Sequence, residues 1–197
     1  MKSYKNSFWV IATLLFFSTG LCGAQEIVDN ATGKSFPSSV SFDYKGKQYT
    51  LTATGVAVRK KFFVKVYSVA SYIEDPVVLK TGDVFANILN TKKAKQLTLQ
   101  FIRDVPQKKL VSGYKESFAK VLTGNQEPVD KFLSFFDNVK AGDTHIFRAL
   151  PDGTVTVLIN GQEKGNLQNP EFAKTLWSIW FGNTGVVDRN LLISQIK

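Results

Sequence analysis

The stretch that decides the fold is Gly55–Asp75, which reads GVAVRKKFFVKVYSVASYIED. Three adjacent cations, Arg59, Lys60 and Lys61, stand directly before a long apolar run. From Phe62 onward, apolar side chains recur at every second position, a pattern typical of a strand with one dry face and one mixed face. We therefore predict that a strand starts at Phe62 and ends before the acidic pair. The three cations are then either a solvated turn or a clamp for an anionic ligand.

The rest of the chain alternates strands with helices, and the strands come in neighbouring pairs. SVSFDY and QYTLTATGVAV flank a turn at Gly46, and Asn160-Gly161 marks a second tight turn between apolar runs. Five segments have the apolar spacing or the capping residues of helices. They are residues 81–90, 106–122, 127–139, 169–182 and 187–196. Antiparallel hairpins with helices gathered on one side make an α+β fold.

The N-terminus predicts where the protein is located. A short basic segment precedes an apolar run over residues 8–21, and small residues follow, up to a cleavage site at Ala24–Gln25. The run is shorter than the roughly 20 residues that a spanning helix needs, although a membrane anchor is the alternative. We therefore predict a secretory signal peptide at 1–24 and one domain at 25–197. The mature protein would be periplasmic or secreted, with no membrane span after signal removal.

Composition narrows the chemistry that the domain can perform. Cys22, the one cysteine, lies in the predicted signal, so the mature chain would have no disulfide and no cysteine-bound metal. A single histidine, His145, argues against a metal site or a Ser–His–Asp triad, and we expect it to be half-buried or at the surface. Removing Lys2 and Lys5 from the 25 basic residues leaves 23 against 16 acidic ones, a net charge of +7. With no nucleic-acid motif, this charge suggests a mild preference for small anions.

Arg59 is the candidate ligand residue that the residues themselves suggest. A guanidinium is always charged and offers a planar fork of donors to a carboxylate or phenolate. Tyr67 follows eight residues later, and Tyr114 lies on a predicted helix. Enclosed by aromatic walls, these groups would form an apolar pocket with one cationic corner. On spacing alone, an ordinary turn cation remains the favoured interpretation of Arg59.

Several segments, in order along the chain, resemble the chalcone isomerase-like family. They are GVAVRKKFFVKVYSVASYIED, LQFIRDVPQKKLVSGYKESF, FDNVKAGD, PDGTVTVLINGQEKG and EFAKTLWSIWFGN. The resemblance covers nearly the whole mature chain and looks most like the bacterial exported branch. It implies an open-faced β-sandwich, a large antiparallel sheet with helices packed on one face and a ligand cleft between sheet and helices. It implies no metal and no organic cofactor.

The resemblance also implies site residues. Arg59 matches the family's pocket arginine, which would bind the substrate anion, and Tyr114 matches its pocket tyrosine. Tyr67 stands where the plant enzymes carry a threonine. Two apolar residues replace further polar groups of the enzymes, with Ser178 beside one of them. The candidate ligand-binding residues are Arg59, Tyr67, Tyr114 and Ser178.

Two functions of different class follow from the resemblance. The favoured one is binding of a small hydrophobic carboxylate, a fatty acid or similar, as in a non-catalytic branch of the family, with phenylalanines around the tail. The alternative is an intramolecular lyase that closes a chalcone-like phenol to a flavanone, with Arg59, Tyr67 and Tyr114 as its catalytic groups. A structural role in an envelope complex is a third possibility. The residues leave open whether the protein is an enzyme.

Overall fold

The computed structural model describes residues 25–122 and 124–196. Its strands are β1 (Glu26–Asp29), β2 (Lys34–Pro37), β3 (Ser39–Tyr44), β4 (Lys47–Lys61), β5 (Val64–Ile73), β6 (Lys95–Phe101), β7 (Thr144–Ala149), β8 (Thr154–Ile159) and β9 (Gln162–Gln168). Its helices are α1 (Val84–Asn90), α2 (Gln107–Phe118), α3 (Glu127–Leu133) and α4 (Pro170–Phe181), with 3₁₀ turns at Pro76–Leu79 and Leu191–Ile193.

Strands β3 to β9 form one seven-stranded antiparallel sheet in which every strand pairs with its neighbour in sequence. Alternation along β5 assigns the two faces. Val69 packs into the main core with the helices, whereas Ala70 and Tyr72 pack into a second cluster on the opposite face. Phe36 of the β1–β2 hairpin belongs to that second cluster. The predicted α+β fold, with a large antiparallel sheet and its helices on one face, is confirmed.

Polar caps fix where helices α1 and α4 begin. The Asp83 carboxylate accepts hydrogen bonds from the backbone N–H groups of Phe85 and Ala86, so α1 starts at Val84, within the predicted segment 81–90. The Asn169 side chain accepts from the N–H of Phe172 and starts α4. The last predicted helix, over 187–196, is reduced to a single 3₁₀ turn.

The strand predicted to start at Phe62 was placed wrongly, because Phe62 and Phe63 form a two-residue turn between β4 and β5. Lys61 pairs with Val64 across this turn, and the two phenylalanines have left-handed φ angles of 49° and 67°. Such turns favour Asn-Gly, and a left-handed conformation costs other residues about 1–2 kcal/mol each. Their side chains are 85% and 100% exposed. The first two residues of the apolar run therefore form a solvent-exposed hairpin tip instead of the start of a strand.

A β-bulge just beyond the tip aligns the residues of the candidate site. Lys60 pairs with Lys65, but Arg59 pairs with Tyr67, so Val66 is the extra residue on β5. The bulge places Arg59 and Tyr67 directly opposite each other on neighbouring strands. Side chains at such opposed positions lie on the same face of the sheet.

The end of the chain returns to β4 and completes this side of the fold. Thr54 Oγ1 donates a hydrogen bond to the Leu192 carbonyl oxygen at 2.7 Å, and Gln195 N donates to the Thr54 carbonyl oxygen at 2.9 Å. A β-carbon on Gly55 would overlap the backbone of Leu191 and Leu192. Glycine is therefore required there for close approach of two backbones.

The structure corrects one further expectation and adds one element that was not predicted. His145 is 1% exposed rather than half-buried, because it lies between the rings of Phe101 and Phe136 in the main core. The β1–β2 hairpin was not predicted at all. The predicted signal peptide, residues 1–24, lies outside the described residues. Across residues 25–122 and 124–196, no helix has both the length and the apolar character needed to cross a membrane.

Candidate functional site

A cleft of about 480 Å³ lies between the β4–β5 hairpin, α2 with the loop before it, and α4. This volume falls within the range of about 300–1,000 Å³ that is usual for small-molecule sites. The apolar part of its wall is mainly aliphatic. It is formed by Val66, Val105, Leu110, Ile179 and Val186.

Phenylalanines do not form the wall of the cleft as expected from the sequence. Among the described residues that line it, Phe62 is the one phenylalanine, and it stands at the exposed rim. Phe132, Phe136 and Phe147 instead pack against one another in the main core, with ring centroids 4.9–6.2 Å apart. The tail of an apolar ligand would therefore contact aliphatic side chains.

Arg59 lines the cleft and is half-buried, whereas its neighbours Lys60 and Lys61 are exposed. Its Nη1 donates a hydrogen bond to the Val186 carbonyl oxygen at 2.8 Å, which fixes the guanidinium to the segment after α4. A guanidinium has five N–H donors, so most remain without a partner in the described part of the chain. Lys61 forms an ion pair with Glu116 at 2.9 Å. Of the three cations, Arg59 is thus the half-buried one, whereas Lys61 lies exposed at the rim of the cleft.

Tyr67 contributes a neutral phenol beside Arg59. Its oxygen accepts a hydrogen bond from Trp180 Nε1 at 3.2 Å. Burial raises the pKa of Tyr67 to about 12, although the Arg59 charge and the Trp180 hydrogen bond oppose the shift. The hydroxyl therefore keeps its proton at neutral pH. Because its oxygen already accepts from Trp180, its own O–H is available to donate to a ligand.

Tyr114, on α2, contributes a second neutral phenol. It is buried, lines the cleft, and stacks on Phe136 with ring centroids 5.2 Å apart. Burial raises the pKa of Tyr114 well above its usual value, and the nearby Tyr67 raises it further. Its hydroxyl has no hydrogen-bond partner within residues 25–122 and 124–196. A buried hydroxyl in this state is poised to donate to a bound acceptor.

The structure does not bring Ser178 to the cleft with the other three candidates. Its hydroxyl donates to the Lys174 carbonyl oxygen at 2.9 Å, one turn back along α4. The adjacent Ile179 lines the cleft instead. Binding by Ser178 has no geometric support here, while Arg59, Tyr67 and Tyr114 share one cavity.

The carboxylates at the cleft are neutralised by lysines. Asp104 pairs with Lys140 and Glu116 pairs with Lys61, each at 2.9 Å, and these hydrogen-bonded ion pairs lower the pKa of both carboxyl groups. Neither is poised as a general acid or base near neutral pH. The polar chemistry of the cleft interior is therefore that of hydrogen-bond donors.

Two residues that position this site were missed by the sequence reasoning. Trp180 orients the Tyr67 hydroxyl, and a signal existed, because a tryptophan N–H on an apolar helix face needs an acceptor when buried. Val186 holds Arg59 through its backbone carbonyl, and no side-chain pattern marks such a contact.

Comparison with known proteins places the fold. The sequence profile of a family described as chalcone isomerase-like matches residues 29–192. The structure is similar to that of a fatty-acid binding protein from Arabidopsis thaliana, with a TM-score of 0.74 over 87% of this chain and 98% of that chain. At 16% sequence identity, this likeness concerns the fold alone. No curated protein sequence matches the chain.

Proposed function

The chain belongs to the chalcone isomerase-like family, and from that membership we propose that it binds a small apolar anion, a fatty acid or similar, without catalysis. The structural neighbour from Arabidopsis thaliana is itself a fatty-acid binding protein of this fold. The proposed ligand lies between sheet and helices, with its head at Arg59 and its tail along the aliphatic wall.

The convergence of three donors on one apolar cleft carries the proposal. Arg59 supplies charge and a fork of N–H groups, and Tyr67 and Tyr114 supply protonated phenols. A carboxylate offers two oxygens with about four acceptor positions, which suits such a donor set. Apolar surface of the ligand that is buried against the aliphatic wall would contribute about 25 cal/mol per Å² to binding. This is the combination that retains an amphiphilic anion.

The same residues argue against a dedicated ring-closing enzyme. A polyphenol has polar groups at both ends, whereas much of the cleft lining is aliphatic, formed by Val66, Val105, Leu110, Ile179 and Val186. Val121 and Ile179 stand near the positions where the resemblance implies an asparagine and a Ser or Thr. A ligand with one polar end therefore fits the described lining better than one with two.

The first test is ligand retention. Native mass spectrometry of the purified protein should show a bound fatty acid, and dodecanoic acid should bind in a calorimetric titration after the natural ligand is removed. Arg59→Gln should weaken binding of dodecanoate by about 10- to 100-fold, the value of a charge-assisted hydrogen bond. Arg148→Gln is the matched control. Arg148 is also a half-buried arginine, but it lies over the Phe42 ring on the opposite face of the sheet.

Three outcomes would overturn the proposal. Equal loss of affinity in both variants would show that the effect is not local to the cleft, and unchanged affinity in Arg59→Gln would remove the guanidinium from the site. Unfolding of Arg59→Gln, seen by circular dichroism, would make Arg59 a structural cation.

The isomerase alternative is supported by the same donors, because they could stabilise the oxyanion that forms when a phenolate adds to an enone. Adding a chalcone and following the loss of its visible absorbance tests it directly. A rate above the spontaneous one that falls in Tyr67→Phe would establish catalysis. A rate equal to the spontaneous one would leave binding as the function.

We also propose that the protein is exported, with residues 1–24 removed. The support is the basic, apolar and small-residue pattern of the N-terminus. The intact mass of the protein from its native host should correspond to a chain that starts at Gln25, in the periplasmic or secreted fraction. An uncleaved chain in the membrane fraction would indicate an anchor instead.

A further inference from the structure

We propose that the tip of the β4–β5 hairpin docks on an anionic lipid bilayer and holds the mouth of the cleft against it. This inference goes beyond ligand binding and stands on residues outside the donor set. The tip consists of Phe62, Phe63 and Val64 with the flanking lysines Lys60 and Lys65.

The tip exposes two adjacent aromatic side chains at a turn that disfavours them. Phe62 is 85% exposed, Phe63 is 100% exposed, and Val64 is 40% exposed. Both phenylalanines are left-handed, where Asn-Gly is the favoured pair. A backbone outlier with a large apolar side chain is a reason to look for function, because folding alone does not explain it. Insertion into the acyl boundary of a bilayer would remove both rings from water.

The charges around the tip match a negatively charged surface. Lys60 and Lys65 are paired directly across the two strands, where like charges are unfavourable in water, and the Lys65 ammonium donates to the Ala31 carbonyl oxygen. Arg103 and Lys109 are exposed at the rim of the same cleft. Lys60, Arg103 and Lys109 have no ion-pair partner in the described part of the chain. Anionic headgroups would neutralise these cations, and each cation near the surface would raise the partitioning of the protein to the bilayer by about fivefold.

A bilayer fits this tip better than a protein partner does. Two phenylalanines bury about 300–500 Å² together, whereas a stable protein interface needs about 800 Å² on each side. Protein interfaces are also depleted in lysine, which surrounds this tip. An aromatic pair ringed by lysines is instead the composition of membrane-surface anchors.

The tip and the cleft share residues, which gives the docking a consequence. Phe62 and Lys61 line the rim of the cleft whose interior holds Arg59. A protein resting on its tip would therefore open the cleft toward the bilayer. A fatty acid could then pass between membrane and cleft without crossing bulk water.

The test is co-sedimentation of the full domain with phosphatidylcholine vesicles prepared with and without phosphatidylglycerol. The domain should bind the anionic vesicles more tightly. Replacing the turn by the favoured pair, Phe62→Asn with Phe63→Gly, should reduce vesicle binding by about tenfold for each ring removed. The same double variant should raise the thermal unfolding temperature, because it relieves the left-handed phenylalanines. A loss of binding therefore cannot be ascribed to misfolding.

A set of single variants separates docking from ligand binding. Lys60→Gln should lower binding to anionic vesicles by about fivefold and leave binding to neutral vesicles unchanged. Phe63→Gly and Lys60→Gln, which do not line the cleft, should keep their affinity for dodecanoate in solution. Arg59→Gln should keep vesicle binding even where it loses the fatty acid.

Three results would overturn the inference. They are equal binding to neutral and anionic vesicles, undiminished binding by the double variant, and a wild-type dimer that becomes monomeric in the double variant. The last result would assign the tip to a second copy of the chain.

Discussion

Removal of the Tyr114 hydroxyl should change stability and ligand affinity in opposite directions. The oxygen is buried and has no hydrogen-bond partner among the described residues. A buried polar group left unsatisfied costs about 1–3 kcal/mol. Tyr114→Phe removes that group and keeps the ring on Phe136. The ligand-free variant should therefore be more stable, by about 2–4 °C in unfolding temperature for each kcal/mol gained in a domain of this size.

The same substitution should weaken binding of a carboxylate. A hydrogen bond to a charged group is worth about 1.5–3 kcal/mol, so affinity for dodecanoate should fall by about 10- to 100-fold. Thermal unfolding of ligand-free protein measures the first effect, and isothermal titration measures the second. Tyr72→Phe is the matched control, because the Tyr72 hydroxyl is also buried without a partner but belongs to the opposite face. It should gain stability and keep its affinity.

Tyr67→Phe, unlike Tyr114→Phe, should lower the stability of the ligand-free protein. Trp180 Nε1 would lose its acceptor, so the ligand-free variant should be destabilised by about 1–3 kcal/mol. A Tyr114→Phe variant that loses no more affinity than Tyr72→Phe would remove the Tyr114 hydroxyl from the binding site, and that refutes the prediction. A lower unfolding temperature of the free Tyr114→Phe protein would refute it as well, since the hydroxyl would then already be satisfied.

Three more predictions concern stability. Burial lowers the pKa of His145 from 6.5 to about 4, so between these pH values the unfolded chain binds a proton that the folded chain does not. The free energy of unfolding should therefore fall by about 3 kcal/mol as the pH is lowered from 6.5 to 4. Denaturant titrations should show this loss in the wild type and not in His145→Phe. Burial lowers the pKa of Lys95 from 10.5 to about 8, so the charged lysine lowers the free energy of unfolding by about 3 kcal/mol below pH 8. This loss is recovered as the pH rises from 8 to 10.5. Lys95→Met should accordingly lack this rise in stability between pH 8 and 10.5 when its melts are compared with those of the wild type. Gly55→Ala should cost about 1–3 kcal/mol through backbone overlap and, by displacing the C-terminal segment, should also weaken dodecanoate binding in titrations.

Local patterns predicted most of the secondary structure. Helix α4 and strand β6 follow directly from apolar spacing, and the turns at Gly46 and Asn160-Gly161 carry the residues that such turns favour. The Phe62–Phe63 turn could not be predicted in this way, because it contains none of those residues. Its position depends on the pairing of Lys61 with Val64, which is a property of the assembled sheet.

The site was predictable only in part, for a similar reason. Arg59 and Tyr67 could be nominated from residue type and resemblance, yet their alignment depends on the bulge at Val66. Burial of His145 depends on Phe101 of β6 and on Phe136 of the segment after α3, whose rings pack against the imidazole only in the assembled core. Contacts of this kind follow from tertiary packing and leave no periodic signal in the chain.

The hydrogen bond from Arg59 to Val186 joins positions 127 residues apart. The hairpins of the sheet can form progressively, each strand adding to the one made before it, but this contact must wait for the last part of the chain to be synthesised. A nascent chain would form much of the sheet before it could bind the proposed ligand. The proposed affinity for an apolar anion would thus arise only after the C-terminal segment has been made, so an incomplete chain would not retain that ligand.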